Sequence, residues 1–159
     1  MKFVCLTILL IGTLLCSGMV TAEQPVREPV DKLVFIHYRD QVDQKGFSAT
    51  DQAEFYKLLG VKWTKFPVHY SINPQNSCDL ADKQVIEAIE AAFTTWDDET
   101  TTTLFTYDGR TDYHTTALNE QNSVFWGPIS NNNVIAITTI WYSRRSREIV
   151  ETDIQMNSN

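Results

Sequence analysis

The stretch Asp79 to Trp96, DLADKQVIEAIEAAFTTW, decides the fold. Val85, Ile86, Ile89, Ala92, Phe93 and Trp96 recur at steps of three and four, while Asp82, Lys83, Glu87 and Glu90 fall mostly on the other side. Residues at that spacing share one helical face, so the stretch predicts a single amphipathic helix. Asp79 is placed to accept from the free N–H groups of the first turn, and Asp82 sets a carboxylate near the positive end of the helix dipole. The β-branched Thr94, Thr95 and Thr100 to Thr103 favour an end near Trp96 to Glu99. A helix with one broad apolar face must lie on a second layer, and its flanks read as strands. The expected class is α+β, a twisted mixed sheet of about five strands with one long helix packed on it.

Upstream of the helix, Lys62-Trp63 and Pro67 to Asn73 (PVHYSIN) alternate apolar and polar residues as a half-buried strand does. Downstream, Leu104 to Tyr107 reads as a strand closed by Asp108-Gly109, and Thr111 to Asn119 as a polar connection. Asn122 to Trp126 is a short strand stopped at Gly127-Pro128. Val134 to Tyr142, VIAITTIWY, is the longest β-prone run, and Ile149 to Met156 is a further strand. The order is therefore strand, helix, four strands. Nearer the N-terminus, Leu33 to Tyr38 (LVFIHY) is a short strand or an anchored segment. Residues 48–59 predict a short helix capped by Ser48 and Asp51 and stopped by Gly60. Residues 23–59 thus form an arm, and residues 60–159 form the body.

Residues 1–22 read as a secretory signal peptide. Lys2 precedes the apolar run Phe3 to Cys16, which is too short for a stable membrane span, and Val20-Thr21-Ala22 offers small residues for cleavage. Leu15 stands before Cys16 where a lipoprotein signal would carry a small residue. The expected location is outside the cell or on the exterior of its envelope, with no membrane span after cleavage. A formal net charge of -7 disfavours nucleic acid and anionic membrane surfaces as partners. Once the leader is removed, Cys78 is the lone cysteine. It is either a thiol whose partner lies outside this sequence or a buried or partner-free thiol.

The chain carries little catalytic vocabulary. His37, His69 and His114 are widely spaced and form no H-E-x-x-H. Asp97, Asp98, Glu99, Asp108 and Asp112 lack the oxygen spacing of a calcium loop and read as a solvated face. Arg144, Arg145 and Arg147 read as an exposed turn, open to processing proteases. Neither a Gly-rich phosphate loop nor a G-x-S-x-G elbow occurs.

The succession YKLLGVKW, PVHYSINP, VIEAIEAAFTTWDDET, NSVFWG, VIAITTIWY and REIVETDIQMN resembles the N-terminal part of the matrixin-like zinc metallopeptidases. Within the metzincins it is most similar to their secreted prokaryotic members. The resemblance runs from Tyr56 to the C-terminus. It implies a sheet of this order followed, beyond Asn159, by a helix bearing H-E-x-x-H-x-x-G-x-x-H, the source of three zinc ligands and the general base. It also implies that Val134 to Trp141 is an edge strand along the cleft that binds an extended peptide substrate by ladder bonds. Ile135, Ala136, Ile137 and Thr138 would then lie nearest that substrate.

The sequence departs from the family in two places. Where animal matrixins place structural-zinc histidines, this chain has Ile137 and Gln155, so no structural zinc is expected. Residues 23–59 hold no counterpart of the cysteine-switch propeptide, so latency would be arranged otherwise. On the resemblance, Cys78 pairs with a cysteine in the absent C-terminal part. Zinc belongs to the full-length family, and no ligand for it is identifiable in this chain. The expectation is the substrate-cleft half of a secreted zinc metalloendopeptidase, inactive as written. The alternative is a non-catalytic exported module that binds peptides or a partner through its edge strand.

Overall fold

The helix α1 (Asp82–Asp97) sits where the three-four spacing puts it. In the computed structural model, which describes residues 28–39 and 58–159, its apolar side lies on a six-stranded sheet. The expected leader at 1–22 and residues 48–57 of the expected arm helix lie outside the described residues. Val85 is buried, and Ile86, Ile89 and Phe93 pack against Tyr70, Ile72 and Val124, joined by Phe105, Tyr107, Ile154 and Met156. The Phe93 ring stands 4.1 Å from Tyr70 and 4.8 Å from Phe105 between centroids, both tilted, which adds aromatic contact to the area removed from water. Burial, together with the nearby Glu90, Tyr107 and Asp97, pushes the Tyr70 phenol up to about 12, so it stays neutral.

The start of α1 differs from expectation. Asp79 stands outside the helix at φ +54, and Ala81 is the N-cap. Asn76 accounts for the shift. Its Oδ1 accepts from the N–H of Cys78 at 2.9 Å and of Leu80 at 3.2 Å, and its Nδ2 donates to the Pro74 and Leu80 carbonyls. The asparagine closes a turn over Asp79, which delays helix entry. Gln84 Oε1 then accepts from the Ala81 N–H at 3.2 Å, one half of a capping box. The helix ends at Asp97, inside the expected window. Asp97 Oδ1 accepts from the N–H of Leu104 at 2.7 Å and Phe105 at 3.2 Å, which ties the end of the helix to the next strand.

The strands are β1 (Val30–Tyr38), β2 (Val68–Ile72), β3 (Phe105–Arg110), β4 (Asn122–Gly127), β5 (Val134–Ser143) and β6 (Ile149–Asn157), arranged β1-β5-β6-β4-β2-β3. β3, β2, β4 and β6 run parallel to one another, while β5 is antiparallel to both β6 and β1. The sheet is mixed, as expected, but has six strands rather than about five. The added strand is LVFIHY, lengthened to nine residues and joined to the sheet. β3 also continues through Asp108-Gly109 where a turn was expected. Gly109 at φ +115 lets the strand absorb a register shift against Tyr70 and Ser71.

The side of the sheet away from α1 is closed by the connection between β3 and β4. Thr111 N–H donates to the Ile72 carbonyl at 3.0 Å, and Asn73 Nδ2 to the Tyr113 carbonyl at 3.0 Å. Farther along, Ala117 N–H donates to Asp153 at 3.2 Å and Asn119 N–H to Glu151 at 2.8 Å. An open apolar groove lies on the α1 side, described below, and Val34 and Ile36 are exposed on the opposite side at the β1 edge. No helix among the described residues is long and apolar enough to cross a membrane.

Candidate functional site

β5 earns its length from Val134, Ile135, Ile137, Thr138, Thr139, Ile140, Trp141 and Tyr142, all β-branched or aromatic. Its entry is an asparagine turn. Asn131 Oδ1 accepts from the Asn133 N–H at 3.0 Å, and the Asn131 carbonyl accepts from the Val134 N–H at 3.0 Å. One side of β5 is laddered to β6 from Ala136 opposite Met156 to Tyr142 opposite Ile149.

The other side was expected to be a free edge, and it is not. β1 runs antiparallel along it, from Val30 opposite Ser143 to His37 opposite Ala136 and Tyr38 opposite Val134. This corrects the edge-strand assignment of Val134 to Trp141. The β-formers of LVFIHY need a strand partner, and unpaired backbone on a long β5 would be costly to leave open. The outermost strand is now β1. All four residues expected nearest a substrate lie on this seam. Ala136, Ile137 and Thr138 stand opposite His37, Ile36 and Phe35, whereas Ile135 is skipped by the register shift between His37 and Tyr38 and is 42% exposed.

Side chains at both ends hold β1 in register. The Arg144 guanidinium grips the Asp31 carboxylate with Nε at 2.9 Å and Nη2 at 2.6 Å, a two-point pairing. That hydrogen bond and the guanidinium charge hold the Asp31 carboxyl below its ordinary range. Ser143 Oγ donates to Glu28 at 2.6 Å, and Arg39 N–H donates to the Asn133 carbonyl at 2.7 Å. His37 Nε2 lies 3.0 Å from Thr138 Oγ1. The arginine cluster read as an exposed turn thus includes one residue that clasps β1. A second, Arg147, lies 4.5 Å over the Tyr142 ring and donates to the Gly60 carbonyl at 3.1 Å.

No group of three or more His, Cys, Asp or Glu able to hold a metal ion occurs among the described residues. The histidines occupy three separate places: His37 on Thr138, His69 Nδ1 at 2.8 Å from Asp108, and His114 at 3.0 Å from the Asp112 carbonyl. Ile137 and Gln155, the positions compared with structural-zinc histidines, stand opposite each other in the β5–β6 ladder, and Gln155 Nε2 donates to the Pro128 carbonyl at 3.3 Å. These residues do not fit a zinc ion. Cys78 is an exposed free thiol among the described residues, so it is not buried.

Sequence reasoning missed a pair of buried acids. Glu151 and Asp153, two apart on β6, share the face turned away from α1, and both are 0% exposed. The alternation in IVETDIQM marks a strand but does not say that its acidic side is covered. Asp153 accepts from Ala117 N–H and from Ser123 Oγ; Glu151 Oε2 accepts from the N–H groups of Asn119 and Glu120. Glu151 Oε1 has no hydrogen-bond partner among the described residues. Burial pushes both carboxyls up, against the lowering effect of those donors. A raised acid binds its proton more tightly folded than unfolded. Its stabilising contribution is therefore complete below the ordinary value, 4.5 for Glu151, and is lost as pH rises through the raised folded value. The stability advantage of wild type over Glu151→Gln, from urea midpoints, should be largest at low pH and shrink as pH rises. A difference independent of pH would refute this.

Two apolar hollows complete the surface. One, of about 210 Å³, lies between sheet and helix and is lined by Trp63, Val68, Tyr70, Phe93 and Ile140 among others. The other is an open groove of about 460 Å³ beside α1, lined by Leu80, Val85, Ile89, Trp96, Trp126 and Met156 among others. Trp96, on the apolar stripe of α1, is 66% exposed there. Comparison with protein-family models, with curated proteins and with solved structures finds no match to this chain.

Proposed function

We propose that this chain is the peptide-binding half of a secreted zinc-dependent metalloendopeptidase, in which an extended substrate lies along β5. The observation that carries the reading is the β1–β5 seam. A nine-residue extended segment is already laddered antiparallel to the strand expected to bind substrate, across Ala136, Ile137 and Thr138. Strand addition of this kind gives affinity through backbone bonds and selectivity through alternate side chains. The open groove beside α1 adds support, since its apolar lining is the kind of surface a further helix would cover.

The chain's own contribution is to bind and align the peptide. Among the described residues no group of three or more His, Cys, Asp or Glu could hold a metal ion, and on this reading the bond-breaking chemistry would come from a further segment. The second reading is an exported module that binds peptides through the same strand without cleaving them. Extending the reading frame beyond Asn159 separates the two: an in-frame H-E-x-x-H segment supports the peptidase, and a stop with no such segment supports the module. The purified chain alone is expected to cleave no peptide when zinc is added. Turnover that a chelator abolishes would contradict this assignment of roles.

A further inference from the structure

We propose that β1 is the resident ligand of a peptide-binding site on β5. The site takes an antiparallel extended peptide with an acidic residue facing Arg144, an apolar residue two positions later and an aromatic residue two beyond that. The inference rests on β5 being the peptide seat and is independent of zinc chemistry.

Three observations carry it. First, β1 is joined to the sheet on one side only. Its sole strand partner is β5, and none of its residues is buried. β5 has a second partner, being laddered to β6 along its other edge, and it buries Val134, Ala136, Thr139, Trp141 and Tyr142. Second, the ladder has a fixed parity. Arg144 N–H donates to the Pro29 carbonyl at 3.0 Å, and in an antiparallel pair the bonding residues recur every second position. The backbone groups of Asp31, Leu33, Phe35 and His37 therefore point at β5, and those of Lys32, Val34 and Ile36 point away. Third, the side chains follow the same parity. Asp31, Leu33 and Phe35 are half-buried, while Val34 and Ile36 are 50% and 45% exposed. Every second residue makes the attachment, which is how a strand-adding peptide is read.

The chemical pattern follows from what lines the seam. Arg144 selects a carboxylate with two parallel N–H groups, a geometry lysine cannot copy on the other partner. Leu33 stands opposite Ile140 and Phe35 opposite Thr138, and Thr138 also meets the His37 ring. An external peptide with Asp or Glu, then Leu, then Phe at alternate positions would reproduce those contacts.

The test uses a fluorescent peptide of sequence VDKLVFIHY, matching residues 30–38, titrated into the whole chain and two variants. Phe35→Pro removes an N–H that points at β5, whereas Ile36→Pro removes one that points to solvent, where an edge strand tolerates proline. If β1 occupies the site, weakening it raises the competent fraction, and Phe35→Pro should bind the peptide at least about tenfold more tightly than wild type. Ile36→Pro should stay within about threefold of wild type, because its ladder is intact. The same peptide with lysine in place of the aspartate should lose most of its binding to Phe35→Pro. Equal or absent binding across the three proteins overturns the proposal. So does loss of the cooperative thermal transition in Phe35→Pro, which would make β1 part of the sheet's framework. A stop codon after Asn159 would refute the peptidase and leave this measurement standing.

Discussion

Asp153→Ala is expected to lower the stability of the fold by about 3 kcal/mol or more, read from urea unfolding followed by tryptophan fluorescence. Asp153 is 0% exposed and sits at the centre of the face covered by the β3–β4 connection. Its carboxylate takes the Ser123 hydroxyl from β4 and the Ala117 N–H from the connection, so one side chain joins two strands and the loop above them. Alanine takes the acceptor from the buried Ser123 hydroxyl and from the part-buried bond at Ala117, and an orphaned buried donor costs about 1–3 kcal/mol. Relief of the charge effect between Asp153 and Glu151 offsets part of the loss, because the Asp153 charge raises the neighbouring acid. Asp153→Asn keeps the shape and one of the two acceptor oxygens, while the Ser123 hydroxyl can turn to accept from the new amide, so it should lose less than alanine does. An alanine variant within about 1 kcal/mol of wild type would show that the connection does not depend on this carboxylate.

Phe125→Ala should cost about 3–5 kcal/mol, the range for emptying a fully buried aromatic site. Phe125 is 0% exposed in β4, which is laddered on both sides, to β2 and to β6. Strands fixed on both edges cannot close over the space a ring leaves, so the cavity term adds to the lost transfer term. Phe125→Leu retains most of the volume and should cost about 1–1.5 kcal/mol. Against a typical domain stability of about 5–15 kcal/mol, the alanine variant would be visibly less stable. A loss no larger than that of Phe125→Leu would mean that the sheet collapses into the space.

The helix and the five strands from Val68 onward were legible because their signals are local. Spacing of three and four marks α1, and runs such as VIAITTIWY mark strands without reference to anything distant. The start of α1 was misplaced because Asn76 captures the turn with its side chain, a competition between asparagine and aspartate that composition does not decide. Two larger features were hidden because they depend on distant chain. LVFIHY announces a strand, but nothing in those residues says that β5 is its partner. Glu151 and Asp153 went unremarked because their burial depends on the β3–β4 connection, folded back to donate to both. For the candidate site, Ile135 to Thr138 were expected on a free edge by resemblance, and the strand that covers that edge was invisible.

The β1–β5 seam also has a consequence in time. His37 and Thr138, which meet across it, are separated by 101 positions. Synthesis runs from the N-terminus, so LVFIHY exists long before the strand that receives it. The parallel pairs β2–β4 and β4–β6 must also close over intervening chain, and such non-local sheets assemble slowly, in roughly milliseconds to seconds. During that interval a short apolar segment of high β-propensity has no partner, the condition in which strands pair with the wrong chain. Recovery of soluble protein is therefore governed by how quickly β5 becomes available, and slowing its completion would harm yield even where final stability is unchanged.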